Sequence, residues 1–173
     1  MTTKHITIYA LMIALTVALS LTVLIPVPAT NGFVTLCEAG IYTTASLFGP
    51  LGGLTVGAAS GLLIDLISGY PQWAIFSFLI HGLQGLISGY FAKKSTTSWL
   101  IGLVLGTFVM VIGYLFAGWF LYGWPSGIAS IPGNMIQNIV GIGLAIPLTS
   151  AIQRLQLNKK ISKYKWLYIK KEW

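Results

Sequence analysis

Ile6-Thr-Ile-Tyr-Ala-Leu-Met-Ile-Ala-Leu-Thr-Val-Ala-Leu-Ser-Leu-Thr-Val-Leu-Ile25 is a run of twenty residues without a charge. At about 1.5 Å per residue this is the length a helix needs to cross a hydrocarbon core roughly 30 Å thick. Ala10, Ala14 and Ala18 recur within it at a spacing of four. That spacing puts their methyl groups on one helix face, about 6 Å apart along the axis. A stripe of small side chains lets another backbone approach closely, and such packing holds helices together in lipid. The partner is either another helix of this chain or a separate membrane subunit, and this segment leaves both open.

The composition extends this reading to the whole chain. Of 173 residues 55% are hydrophobic and 8% charged, with a mean hydropathy of +0.82. A soluble domain of this size does not tolerate such a balance, and several apolar runs approach spanning length. The expectation is an all-α integral membrane protein: a single domain over 1–173 with six transmembrane helices. Twenty glycines suit tightly packed membrane helices. The lone Cys37 provides neither an internal disulfide nor a metal cluster. Lys4 before the apolar run and Val27-Pro28-Ala29 after it loosely resemble a signal peptide and its cleavage site. The run is nevertheless long enough to span and is read as an uncleaved first helix.

The helices are expected at about 6–25, 36–48, 51–68, 72–92, 99–122 and 132–152, followed by a basic tail over 153–173. Pro26 and Pro28 close the first helix, and a turn-rich loop runs from Pro26 to Val34. Thr35-Leu-Cys-Glu38 has the capping-box pattern and opens the second. Gly53, Gly57 and Gly61 repeat every four residues in the third, a further close-packing face. Gly69-Tyr-Pro71 and Gly123-Trp-Pro125 break the chain, and a loop over 123–131 leads to the sixth helix. Lys4, Lys93, Lys94, Arg154, Lys159, Lys160, Lys163, Lys165, Lys170 and Lys171 all fall on the side of the termini. The positive-inside rule therefore places both termini in the cytoplasm. Tyr164, Trp166, Leu167 and Tyr168, interleaved with the tail cations, suit a membrane surface rather than nucleic acid.

Ionisable groups inside a span are costly and ask for a reason. Away from the termini they are Glu38, Asp65 and His81, all in the outer half of this topology. On the fourth helix Trp73, Ser77, His81, Gln84 and Ser88 form one stripe at helical spacing, leading inward from the outer surface. Inter-helix hydrogen bonds would explain a lone serine there, whereas a Trp-His-Gln set reads as a ligand pocket. Asn134, Gln137 and Asn138 add amides where free backbone N–H groups of the sixth helix supply more donors. Glu38 is explained by its capping box or by ligand contact. Asp65, at a helix C-terminus that disfavours a carboxylate, reads as a structural lock on the loop 69–72. Trp119, Tyr122 and Trp124 cluster at the outer end of the fifth helix, where the interfacial belt accounts best for Trp124, and Tyr114 and Tyr122 share a face and can flank a flat ring. The set suits a small, flat, uncharged heterocycle. The sequence contains no phosphate loop and no metal motif, so no ATP hydrolysis is expected of this chain.

The six short helices, Ala10-Leu-Met-Ile-Ala14, the loop after the first helix, Gly61-Leu-Leu-Ile-Asp65-Leu-Ile-Ser-Gly69 and the basic end carry a resemblance. Over essentially its whole length the chain resembles the substrate-binding S components of energy-coupling factor (ECF) vitamin transporters. Within them it is most similar to the hydroxymethylpyrimidine and pyridoxine group. The resemblance implies a multi-pass protein of a bacterial, Gram-positive plasma membrane. It captures a vitamin from outside under the loop 26–34 as lid, and docks through Ala10, Ala14 and Ala18 onto a membrane coupling protein, the T component. Two cytoplasmic ATPases would use ATP and Mg, leaving this chain without a cofactor. Two other classes remain in view: a small intramembrane enzyme pairing His81 with Asp65 or Glu38, and an accessory subunit that binds no ligand.

Overall fold

The computed structural model describes residues 3–92 and 95–169; for position 4 and for 156–169 it describes the backbone alone. Lys93, Lys94, Lys170 and Lys171 lie outside the described residues, as do the side chains of Lys4 and the other tail residues from 156 onward. Six helices carry the described chain: α1 (Thr3–Thr22), α2 (Cys37–Phe48), α3 (Pro50–Ile67), α4 (Ala74–Ala92), α5 (Thr96–Tyr122) and α6 (Trp124–Ile169). All except α2 are long and apolar enough to cross a membrane. α2 has only 12 residues, about 18 Å of helix. It is buried along most of its length and contacts α1, α3, α4 and α6.

The loop after α1 is a small hairpin. Strand β1 (Ile25–Val27) pairs antiparallel with β2 (Gly32–Val34), with Pro26 opposite Phe33, across a 3₁₀ turn at Pro28–Thr30. Asn31 closes that turn in the left-handed region at φ 48°, a conformation its short polar side chain tolerates.

α6 begins eight residues before the expected 132. Gly123, at φ 86°, makes the whole reversal between α5 and α6 that a loop over 123–131 was expected to make. Pro125 falls in the first turn, where a missing N–H costs nothing. Gly127 then packs against the backbone of α5 at Leu115 and opposite Gly118, which holds the segment helical despite Pro132 inside it. The capping box does not form either. α2 starts at Cys37, and Thr35 Oγ1 accepts from Cys37 N at 3.2 Å. The Thr35 N–H that Glu38 would have accepted is given to Gln137 Oε1 at 2.6 Å.

α3 and α4 form the most extensive helix pair of the molecule, and glycines make the approach possible. Along the antiparallel pair Gly49 meets Gly89, Gly53 meets Gly85, Gly57 meets the His81 carbonyl and Gly61 meets Ser77. A Cβ at Gly53 would run into the Gly85 carbonyl. On α1, by contrast, Tyr9, Thr16, Val17 and Ser20 face the bundle, while Ala10, Ala14 and Ala18 are exposed.

Gly53→Val is expected to lower the unfolding midpoint in detergent by the equivalent of about 1–3 kcal/mol, the usual cost of overpacking. Gly143→Ala, with nothing within 4 Å of the added methyl, should leave the midpoint unchanged or raise it slightly.

Candidate functional site

A cavity of about 50 Å³ lies between the hairpin and the ends of α2 to α6. The hairpin roofs it with Val27, Thr30, Gly32, Phe33 and Val34; Ile64 and Asp65 come from α3, and Met110 and Tyr114 from α5. Trp73, in the turn leading into α4, lines it together with Ser77 and His81, and Asn134 and Gln137 line it from α6. Gly61 leaves the space that the His81 ring occupies, since a methyl there would press on His81 Cδ2 and the Ser77 carbonyl. Trp73 and Tyr114 stand with ring centroids 5.8 Å apart and tilted by 46°. The Trp73 Nε1–H donates to the Asn31 carbonyl at 3.0 Å, which fastens the hairpin tip to the start of α4.

Behind the wall runs a chain of hydrogen bonds whose direction is set by the amides. Asn138 Nδ2 donates to the Asn134 carbonyl at 2.8 Å, which points Asn138 Oδ1 at its partners. Gln84 Nε2 donates to that oxygen and to Tyr42 Oη, each at 2.9 Å, and Tyr42 Oη donates to Asn138 Oδ1 at 2.5 Å. Gln84 Oε1 therefore faces His81 Nδ1, 2.8 Å away, so Nδ1 carries the proton and Nε2 accepts from Tyr114 Oη at 3.0 Å. Ser77 Oγ and Tyr114 Oη share a further hydrogen bond at 2.6 Å. In a medium without water such chains are how buried polar groups are satisfied.

Six of the ten residues expected to bind substrate share the cavity wall: Trp73, Ser77, His81, Asn134, Gln137 and Tyr114. Gln84, Asn138 and Glu38 do not line it. They are fully buried one layer behind, where Gln84 and Asn138 hold other side chains in place. The Glu38 carboxylate makes no hydrogen bond and stands 3.5 Å from His81 Nδ1. Tyr122 packs against Trp73 outside the cavity, with ring centroids 5.9 Å apart and tilted by 41°. Asp65 does not lock the loop through its side chain. Gly69, at φ 83°, ends α3, and the Tyr70 N–H donates to the Asp65 backbone carbonyl at 2.8 Å, the Schellman arrangement. The side chain lines the cavity instead.

With this geometry in view, comparison with known proteins is decisive for the family. The model for the ECF-type riboflavin transporter S component matches residues 1–154. The chain belongs to that family. It is 38% identical over 152 residues to the thiamine precursor transporter HmpT of Lactococcus lactis subsp. cremoris, covering 87% of this chain and 89% of that protein. A Pyrococcus woesei protein, described as an uncharacterized protein in a gap 3′ region, is 40% identical over 120 residues, 68% of this chain and 80% of its own length. This S component is thus a multi-pass membrane transporter subunit and not an enzyme.

Several wall residues of this S component carry no signal of their own in the sequence. Phe33, Ile64 and Met110 are apolar residues in apolar surroundings, and Cys37 is buried. Ser130 had a signal that was available. Ser126, Ser130, Asn134 and Gln137 continue one buried helical stripe through the stretch read as a loop because of its prolines.

Gln84→Leu should lower the unfolding midpoint in detergent by the equivalent of about 1–3 kcal/mol. It strips partners from His81 Nδ1, Tyr42 and Asn138 at once and leaves them buried.

Proposed function

We propose that this chain is the capture subunit of an ECF importer and binds a small water-soluble vitamin or precursor of the hydroxymethylpyrimidine or pyridoxine type. The observation that carries this reading is the hairpin-roofed cavity in which Trp73 and Tyr114 stand over a wall of serine, imidazole and amides. Aromatic faces stack on a flat ring and amides bond its edge. At about 50 Å³ the cavity is far smaller than the roughly 300–1,000 Å³ of pockets for drug-sized ligands. A single six-membered ring therefore requires less rearrangement here than a three-ring flavin. The hairpin serves as the lid, held by the Trp73–Asn31 hydrogen bond, and opens to the outside. The distribution of cations supports termini in the cytoplasm of a bacterial cell. The exposed Ala10, Ala14 and Ala18 form the face that docks the T component, which couples this chain to two ATPases.

Titrating the purified protein with hydroxymethylpyrimidine and with pyridoxine, followed by tryptophan fluorescence, tests the reading through Trp73. Saturable quenching by one of them is expected. No response to either removes this substrate class. In His81→Ala the responding ligand should bind roughly ten- to a hundredfold more weakly, because Tyr114 and Gln84 lose the group that orients them. Ala14→Trp should abolish uptake in cells while binding to the purified protein persists. Uptake that survives this bulk would place the docking face elsewhere.

A further inference from the structure

Trp73 separates two spaces. On one side it lines the cavity, with Tyr114 next to it. On the other its ring meets Tyr122, which lines an open cleft of about 480 Å³. The hairpin brings Pro26, Pro28 and Asn31 to this cleft, and the turn before α4 brings Tyr70 and Gln72. Gly32 lines both cleft and cavity, so at the hairpin the two are one residue apart. Asn31 borders the cleft and its carbonyl accepts the Trp73 Nε1–H at 3.0 Å. A second ring contact crosses the same partition. Tyr70 of the cleft stands edge-on to Phe33 of the cavity roof, with centroids 4.8 Å apart at 66°. The cleft repeats the chemistry of the cavity in exposed form: tyrosine faces, the carboxamides of Asn31 and Gln72, and no charged side chain.

We infer that this cleft is a second binding site, an encounter site that holds a flat, uncharged heterocycle against Tyr122 before Trp73 admits it to the cavity. This rests on the capture reading of the neighbouring cavity. Trp73 is 5% exposed, and moving it breaks its hydrogen bond to Asn31 and its contact with Tyr122. With the cleft empty nothing replaces either interaction except water. A heterocycle already in the cleft replaces both. Its face covers the Tyr122 ring that the indole leaves, and a ring nitrogen or hydroxyl accepts from the freed indole N–H. Occupancy of the cleft therefore favours the open position of Trp73, because the heterocycle makes contacts there that it does not make when the partition is shut. Passage inward then carries the ring from Tyr122 to Tyr114, past one indole.

The test follows tryptophan fluorescence of the full-length protein in detergent after rapid mixing with hydroxymethylpyrimidine or pyridoxine, whichever quenches at equilibrium. In wild-type protein the observed rate should rise with probe concentration and then level off, and the concentration at half-saturation measures the cleft. Tyr122→Ala and Gln72→Ala, both at exposed positions, each remove a cleft contact that the fully bound ring has left behind. Each should raise the half-saturation concentration by a factor roughly threefold or more greater than the factor by which it raises the equilibrium Kd. A side chain that only props Trp73, or that serves the cavity itself, would change the Kd by as much. A wild-type rate that stays linear up to the probe's solubility limit, or that falls with concentration, overturns the encounter site while leaving capture intact. So does a shift short of that margin in either variant. Absence of equilibrium quenching of wild-type protein by both probes overturns the capture reading, and this inference with it.

Discussion

Backbone-to-backbone contact between α3 and α4 is the constraint on which the site depends. In lipid no hydrophobic force draws two apolar helices together, so close packing has to do it. Gly53 and Gly85 pack carbonyl against Cα, and Gly57 and Gly61 continue the approach toward His81 and Ser77. Any larger side chain on that ladder would move α4 outward. The residues α4 carries at that level, Ser77 and His81, are the ones that line the cavity. The same glycines that make a stable pair therefore set where the imidazole stands.

A second constraint follows from the solvent. Polar side chains within a membrane protein need partners inside the protein, and this bundle separates them into two layers. Gln84, Asn138 and Tyr42 are bonded mainly to one another and to the backbone, and so are occupied. Their work is to fix the tautomer of His81 and the hydroxyl of Tyr114. Asn134, Gln137 and Asp65 lie in front, on the cavity itself. Glu38 and Asp65, two acids that look alike in the sequence, end in different layers. Glu38 comes from the buried first turn of α2, and Asp65 from the last turn of α3 beneath the hairpin.

Much of this was legible in the chain. The glycine spacing of α3, the stripe on α4 and the amides of α6 are periodic signals, and periodicity survives folding because a helix preserves it. The turn at Gly123 was legible as a break but not as the whole break. Pro125 and Pro132 suggested a loop, while the register of Ser126, Ser130 and Asn134 already carried a helix through it. The capping box at Thr35 failed for a non-local reason: the Thr35 N–H found Gln137, 102 residues away, and no local pattern reports a competitor at that distance.

The sequence by itself determined the solvent, the helices and the kinds of polar group available. Apolar run length, small-residue spacing and the scarcity of charge are local quantities that admit few alternatives in a membrane. Tertiary structure alone decided which polar groups face a ligand and which face each other. A helical stripe states that Ser77, His81 and Gln84 share a face of α4, but that face is wide enough to meet two neighbours. Tyr114 from α5 takes the outer part of it, and Asn138 with Tyr42 takes the inner part. The boundary between wall and interior falls between His81 and Gln84, at the depth where the side chains of α2, α5 and α6 converge.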